Sequence, residues 1–395
     1  MIFGELYMEK TIRLFDISSK TARFEALVLA CEQQNDGRFS VMLDRTAFFP
    51  NEGGQSCDTG NIGGAHVISV DERDGIIYHT VDRVLGEGES VVCEIDFAPR
   101  MRKMQNHTAE HIISGIIHRL YGYENVGFHL GDGYMTADFN GELTSEDIRK
   151  VELLANEAVF DCRTVRAYYP DADALEILEY RSKQGIEGEV RIVEIDGVDA
   201  CACCAPHVEN TGEVGLIKIL DYIRYKGGMR LNILAGYDAL EDYKSRYEQI
   251  RRISMAISAK QSEVAEGVER LLEESGRLRG RISELKRNIM QYKLDTLENT
   301  EESICLFDDG DDMLSIRNFV NEAVKRTSRI CAVFAGDDVS GYKYIMASET
   351  VDLKAILGEI NERLSGKGGG SSQMIQGSCD AQRREIEELF ADILK

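Results

Sequence analysis

Between Leu240 and Ile289 apolar residues recur at alternating spacings of three and four. This places Leu240, Tyr243, Tyr247, Ile250, Ile257, Val264, Val268, Leu271, Leu278, Ile282, Leu285 and Ile289 on one seam. Only Ser254, Gln261 and Ser275 interrupt it, so twelve of fifteen seam positions are apolar. A stripe held over about seven heptads fits a long helix whose apolar edge another helix covers. Residues 238–300 are therefore expected to form a coiled coil or a long antiparallel helical arm. Gly267, Gly276 and Gly280 are poor helix formers and predict a bend or break. A homodimer, made through this arm or the region after it, is the expected assembly.

The other segments carry different periods. From Phe24 to Ile95 short β-type runs (FEALVLACE, FSVMLD, AHVISVDE, GIIYHTV, SVVCEID) alternate with Asn, Asp and Gly turns, which predicts a small β-barrel over residues 1–95. FAPRMRKMQNHTAEHIISGIIHRLYG then has helical spacing, and a strand (GYMTADFN) and a helix (TSEDIRKVELLANEAVFD) follow. Thr144 and Asp147 give that helix a capping signature. Residues 96–237 thus read as a second, α+β domain. After residue 301, strands SICLFDD, RICAVFAGD and YKYIMAS alternate with helices and are followed by the Gly-rich GKGGGSSQMIQGS and a final helix from Ala381, predicting a small α/β domain over 301–395. At 395 residues the chain exceeds one ordinary core, and the expected class is α+β in several units.

Composition narrows the compartment and the partners. The first residues carry Glu5 and Glu9 and lack a basic stretch followed by a long apolar one, so no signal peptide is expected. No apolar run approaches the roughly 18 residues of a membrane span, and a cytoplasmic protein without membrane contact is expected. Ten cysteines are scattered along the chain, but three fall within residues 201–204, which points to metal chemistry rather than disulfides. A formal charge of −23 opposes binding driven by phosphate neutralisation, so no DNA partner is expected and any RNA contact must be local. Arg100, Arg102 and Lys103, with Arg224, Lys226 and Arg230, are the candidate basic groups.

Two pairs of residues carry chemistry. His107 and His111 lie four apart on the predicted helix, so both imidazoles leave one face. Cys203 and His207 repeat that spacing in a Pro-containing segment, and a soft thiolate with three imidazoles suits tetrahedral zinc. Cys201 and Cys204 are alternatives to Cys203. Glu110, between the two histidines, reads as a solvated helix residue with no role.

HTAEH at 107–111, followed about a hundred residues later by CCAPHVENTGEVG from Cys203, resembles the zinc motifs of the alanyl-tRNA synthetase editing domain and of the free-standing alanyl-tRNA editing proteins, the AlaX family. TAFFPNEGGQSCDTG at 46–60 is similar to that family's Gly-rich loop, and YKGGMRLNILAGYDAL at 225–240 to its closing segment. GGGSSQMIQG at 368–377 resembles more weakly the Gly-rich motif of the synthetase's C-terminal domain. The resemblance implies a zinc-dependent hydrolase that deacylates alanine tRNA charged with the wrong amino acid, serine first and glycine second. It makes Thr46 the group that recognises the serine hydroxyl, with Gln55 beside it as a second catalytic residue. Gly53, Gly54 and Arg230 become contacts to the tRNA end, and the C-terminal domain serves dimerisation or tRNA docking.

Two rivals remain. HTAEH also fits an inverted zinc-protease motif with Glu110 as base, but the Cys203 and His207 pair fills the coordination sphere and the Gly-rich loop has no place in it. Four protein ligands with no vacancy are otherwise the mark of structural zinc, which leaves a non-catalytic tRNA-binding or synthetase-associated protein as the alternative.

Overall fold

In the runs between Phe24 and Ile95 buried and exposed residues alternate along Ser90–Ile95, where Val91, Cys93 and Ile95 point inward, whereas Val41, Met42 and Leu43 are buried in succession. In the computed structural model six of these strands close into an antiparallel barrel, in the order Arg23–Gln33, Phe39–Leu43, Ile76–Val81, Ala65–Arg73, Gly60–Ile62, Ser90–Ile95 and back to the first. Closure leaves no free edge, and the interior is filled by residues such as Val28, Val41, Phe48, Ile62, Val67 and Ile77. The structure describes residues 10–131, 134–182, 189–310 and 312–392, so Glu5 and Glu9 lie outside it. The chain divides into two compact units, Met1–Arg252 and Ile253–Lys395.

The first unit also holds the helix Phe97–Tyr121, ended by Gly122 in the left-handed region at φ 69°. It packs with the helix Ser145–Phe160 on a four-stranded antiparallel sheet ordered Ile217–Tyr225, Gly228–Ala235, Met135–Phe139, Asn125–Leu130. Thr144 and Asp147 form the reciprocal capping box that starts Ser145–Phe160. A three-stranded sheet of Val165–Tyr168, Ile192–Ile195 and Asp199–Ala202 brings the cysteine cluster against the long helix.

The seam region is helical but broken. Helices Gly236–Ala256 and Val264–Asp295 are separated by a segment in which Ser258 has φ 52° and the Ser254 hydroxyl donates to Ala259 O at 2.6 Å. The break is therefore not at Gly267, Gly276 or Gly280, which all lie inside the second helix. On that helix Leu271, Leu278, Ile282, Leu285 and Ile289 are each 44–54% exposed.

The rest of the second unit is a five-stranded sheet ordered Ile304–Asp308, Ile330–Asp337, Gly341–Ser348, Met374–Cys379, Gly366–Gly370, with only the first pair parallel. Helices Met313–Ala323, Leu353–Arg363 and Arg383–Asp392 cover it. The Gly-rich segment is a hairpin of two strands, Gly366–Gly370 and Met374–Cys379. Tyr344 explains two of its glycines: an added Cβ would fall 2.1 Å from the Tyr344 hydroxyl at Gly368 and 2.8 Å from its Cζ at Gly377. Among the described residues no helix is long and apolar enough to cross a membrane.

Candidate metal centre

The helix Phe97–Tyr121 is anchored before it delivers any functional group. Arg100, wholly buried, pairs with Asp58 through Nε and Nη2 and donates to Ser19 O at 3.1 Å and Ala47 O at 2.5 Å. Asp58 in turn accepts from Phe49 N at 2.7 Å, so one ion pair joins helix, barrel and Gly-rich loop. Arg102 pairs with Asp238 and Glu241, and Lys103 donates to Ser56 O and Cys57 O. These three basic residues, expected as RNA contacts, are thus committed to internal partners.

One turn further along, His107 and His111 meet Cys203 and His207. The four ligand atoms lie within 4.8 Å of one another and all four residues are buried or nearly so. Cys203 Sγ is 3.6 Å from His107 Nε2 and 3.4 Å from His207 Nε2. A tetrahedral zinc with Zn–S of about 2.3 Å and Zn–N of about 2.0–2.1 Å separates sulfur from nitrogen by about 3.6 Å. Each ring is also gripped on its other side. His107 Nδ1 is 3.2 Å from Gln55 Oε1, His207 Nδ1 is 3.0 Å from Thr108 Oγ1, and His111 Nδ1 is 3.2 Å from Asp199 Oδ2 without the alignment of a full hydrogen bond. Nδ1 held and Nε2 presented is the arrangement that orients metal-ligating histidines.

The charges favour a cation at the same point. Burial opposes ionisation of Cys203, yet His107 and His207 hold its thiol well below the ordinary value. Burial pushes His207 down to about 3, so it is neutral and free to ligate. Burial also works against His111, but Asp199 and the cysteines raise it well above 6.5: the centre draws in positive charge there. Burial opposes the Asp199 charge too, and Arg181, at 2.7 Å, and His111 keep that carboxyl at about 2. The donor set therefore fits a divalent metal that takes nitrogen and sulfur.

Of the alternative cysteines, Cys201 belongs to a neighbouring group with His111 and Asp199, and burial raises its thiol to about 11. Burial with the adjacent Cys203 raises Cys204 further. Asp199, Arg181, Thr108 and the burial of Glu110 escaped the reading of the sequence. One signal was present: Asp199 and Cys201 are two apart on a strand and share a face. A Cβ on Gly115 would lie 2.6 Å from Val198 O, so that glycine lets the strand approach the helix closely enough for Asp199 to reach His111.

The cluster forms one wall of a cavity of about 430 Å³, lined among others by Glu52, Gly53, Glu110, Asn125, Phe128 and Arg181. The Gly-rich loop docks there through Gly54, with φ 83°, whose added Cβ would be 3.0 Å from Phe128 O. Gln55 and Gly53 are thus beside the cluster. Thr46 is not: it is fully buried, and its hydroxyl is engaged with His79 Nε2 at 2.9 Å and Phe48 N at 3.1 Å. A hydroxyl so committed does not reach the cavity. Arg230 is also outside it, paired with Asp138 at 2.6 and 2.7 Å and stacked 3.9 Å from the Tyr225 ring centroid. Glu110 is 5% exposed, not a solvated helix residue.

Residues 190–271 match the threonyl and alanyl tRNA synthetase second additional domain. The chain is 28% identical to the alanyl-tRNA editing protein AlaX-L of Pyrococcus horikoshii, over 94% of this chain and 95% of that protein. Along nearly its whole length this chain is similar to an alanyl-tRNA editing protein. It is also 27% identical to the alanine–tRNA ligase of Methanococcus vannielii and 32% identical to that of Halobacterium salinarum, over 99% and 72% of this chain. It spans only 44% and 32% of those two ligases.

Proposed function

We propose that the protein is a trans-editing hydrolase that removes a wrong amino acid, serine and secondarily glycine, from alanine tRNA at a zinc centre held by His107, His111, Cys203 and His207. The observation that carries this reading is the convergence of three imidazoles and the Cys203 sulfur, their ligand atoms within 4.8 Å of one another, at the wall of a cavity, in a chain similar to AlaX-L along nearly its whole length. When bound, zinc supplies the positive charge that polarises an ester carbonyl or a water. The chain's own groups do the rest. Gln55, Thr108 and Asp199 fix the ligand rings, while Gly53 and Gly54 let backbone approach the tRNA end.

The chemistry suits the biological problem. A synthetase pocket for alanine cannot strongly exclude a smaller side chain or one added hydroxyl, so a second hydrolytic site is needed for accuracy. The serine-hydroxyl contact expected of Thr46 has no route through the described geometry, because His79 and Phe48 already engage it. In this reading the barrel of 1–95 and the zinc-bearing 96–237 carry the editing, in the cytoplasm. The arm of 238–300 and the domain of 301–395 serve homodimerisation and tRNA docking, the latter with Arg230. The half-exposed apolar seam of Val264–Asp295 supports pairing with a second copy.

The test is deacylation of Ser-, Gly- and Ala-charged alanine tRNA by the protein and by a Cys203→Ala, His207→Ala variant. Selective clearance of the seryl ester, lost in the variant, is expected. Survival of all three esters with zinc bound would leave a non-catalytic tRNA-binding protein with structural zinc.

A further inference from the structure

Glu110 occupies a place that an apolar residue would fill at lower cost. It lies on the buried stretch of Phe97–Tyr121, next to His111, and lines the cavity together with His107, His111 and Cys203. Burying a carboxylate without a cationic partner is expensive. Its contacts are nevertheless neutral donors: Oε1 accepts from Asn125 Nδ2 at 2.5 Å and from the Ser114 hydroxyl. That grip fixes the carboxylate and leaves Oε2 as the free oxygen, 3.9 Å from His111 Nε2 and so beside the cluster.

The remaining charges of the wall sharpen the point. Arg13, Arg181 and Arg191 line the cavity, each neutralised by a carboxylate that does not, Glu72, Asp199 and Asp16, while Glu52, Glu124 and Glu189 line it together with Glu110. Arg181 feels Glu110 as well, yet both of its short contacts, 2.7 Å each, go to Asp199. The wall is therefore rich in carboxylates, and Glu110 is the one next to His111. A small cationic group with several hydrogens to donate satisfies it.

We propose that Glu110 Oε2 receives the α-ammonium group of the substrate, so that the site takes aminoacyl esters with a free amine and rejects N-blocked ones. The assignment rests on the deacylase reading for the identity of the ester, not for the preference for an amine. It makes Glu110 a substrate-binding residue, whereas a base would have to work from the same oxygen on water.

The probe is 3′-seryl-amino-3′-deoxyadenosine, which cannot be hydrolysed as an ester, and its counterpart with the α-amine replaced by hydrogen. Binding of each to the zinc-loaded full chain is measured by calorimetry for the native protein, Glu110→Gln and Glu52→Gln. The amide oxygen that Glu110→Gln introduces still accepts from Asn125 and Ser114, so the variant separates charge from folding, and its zinc content and melting temperature are checked. The native protein is expected to favour the amine-bearing probe by about 10- to 100-fold, the range of a charge-assisted hydrogen bond, with the preference lost in Glu110→Gln alone. A native protein indifferent to the amine, a Glu110→Gln variant that keeps the preference, or its loss only in Glu52→Gln would overturn the assignment. An amine preference without hydrolysis of seryl-tRNA would instead retain Glu110 as receptor and remove the deacylase reading.

Discussion

A single carboxylate shows how much of the centre depends on residues that ligate nothing. Asp199 touches His111 on one side and Arg181 on the other, so it fixes a ring and adds negative charge while remaining ionised. Replacing Asp199 by Asn preserves shape and removes that charge. Zinc affinity is then expected to fall about 10- to 100-fold, as for other outer partners of ligating histidines. Competition against a chelator of known affinity measures it, and an unchanged affinity would show that His111 does not depend on Asp199. The cluster of His107, His111, Cys203 and His207 was legible because helical spacing and chemical softness are local properties. Asp199, Thr108 and Arg181 were not, because their roles exist only once strand and loop are folded onto the helix. Thr46 runs the other way: its motif is intact, but tertiary packing engages its hydroxyl with His79.

Elements announced themselves unequally. Alternation marked the barrel strands, and the Thr144 and Asp147 pair marked the start of Ser145–Phe160, because both signals act within a few residues. The broken arm was read in the wrong place. Glycines weaken a helix, but a helix of 32 residues tolerates Gly267, Gly276 and Gly280. The break instead lies among the polar seam positions Ser254 and Gln261, where the Ser254 hydroxyl can satisfy a freed carbonyl. Within the barrel, His79 ties its strand to Val41 O at 3.2 Å and to Thr46. Burial lowers its pKa from an ordinary 6.5 to about 4. The unfolded chain then binds the extra proton between those values, so the neutral ring's contribution is full above pH 6.5 and lost as pH falls toward 4. The loss reaches about 3 kcal/mol. Urea unfolding from pH 7 to 4 should show that decline flattened in a His79→Gln variant, and an identical slope in both proteins would remove His79 as its source.

At the scale of the whole molecule, the charge and the proposed partner pull against each other. A chain of net charge −23 meets a polyanion, and its candidate basic side chains are largely engaged: Arg100 with Asp58, Arg102 with Asp238 and Glu241, Arg224 with Glu142, Arg230 with Asp138. These four side chains can therefore release few counterions. Proteins with 6–10 phosphate contacts lose about 10³–10⁵ in affinity between 50 and 200 mM salt. Here the binding of alanine tRNA is expected to weaken by less than about 10-fold over that range, because screening also relieves the repulsion between two anions. Affinity must then come from recognition of the charged 3′ end, which the proposed function puts at the cavity. Stripping the amino acid from the tRNA should consequently cost more affinity than the same rise in salt. Filter binding of aminoacylated and bare tRNA to a deacylation-dead Cys203→Ala protein at both salt concentrations decides it. A steep salt slope with no preference for the charged end would place tRNA binding on a basic surface away from the centre.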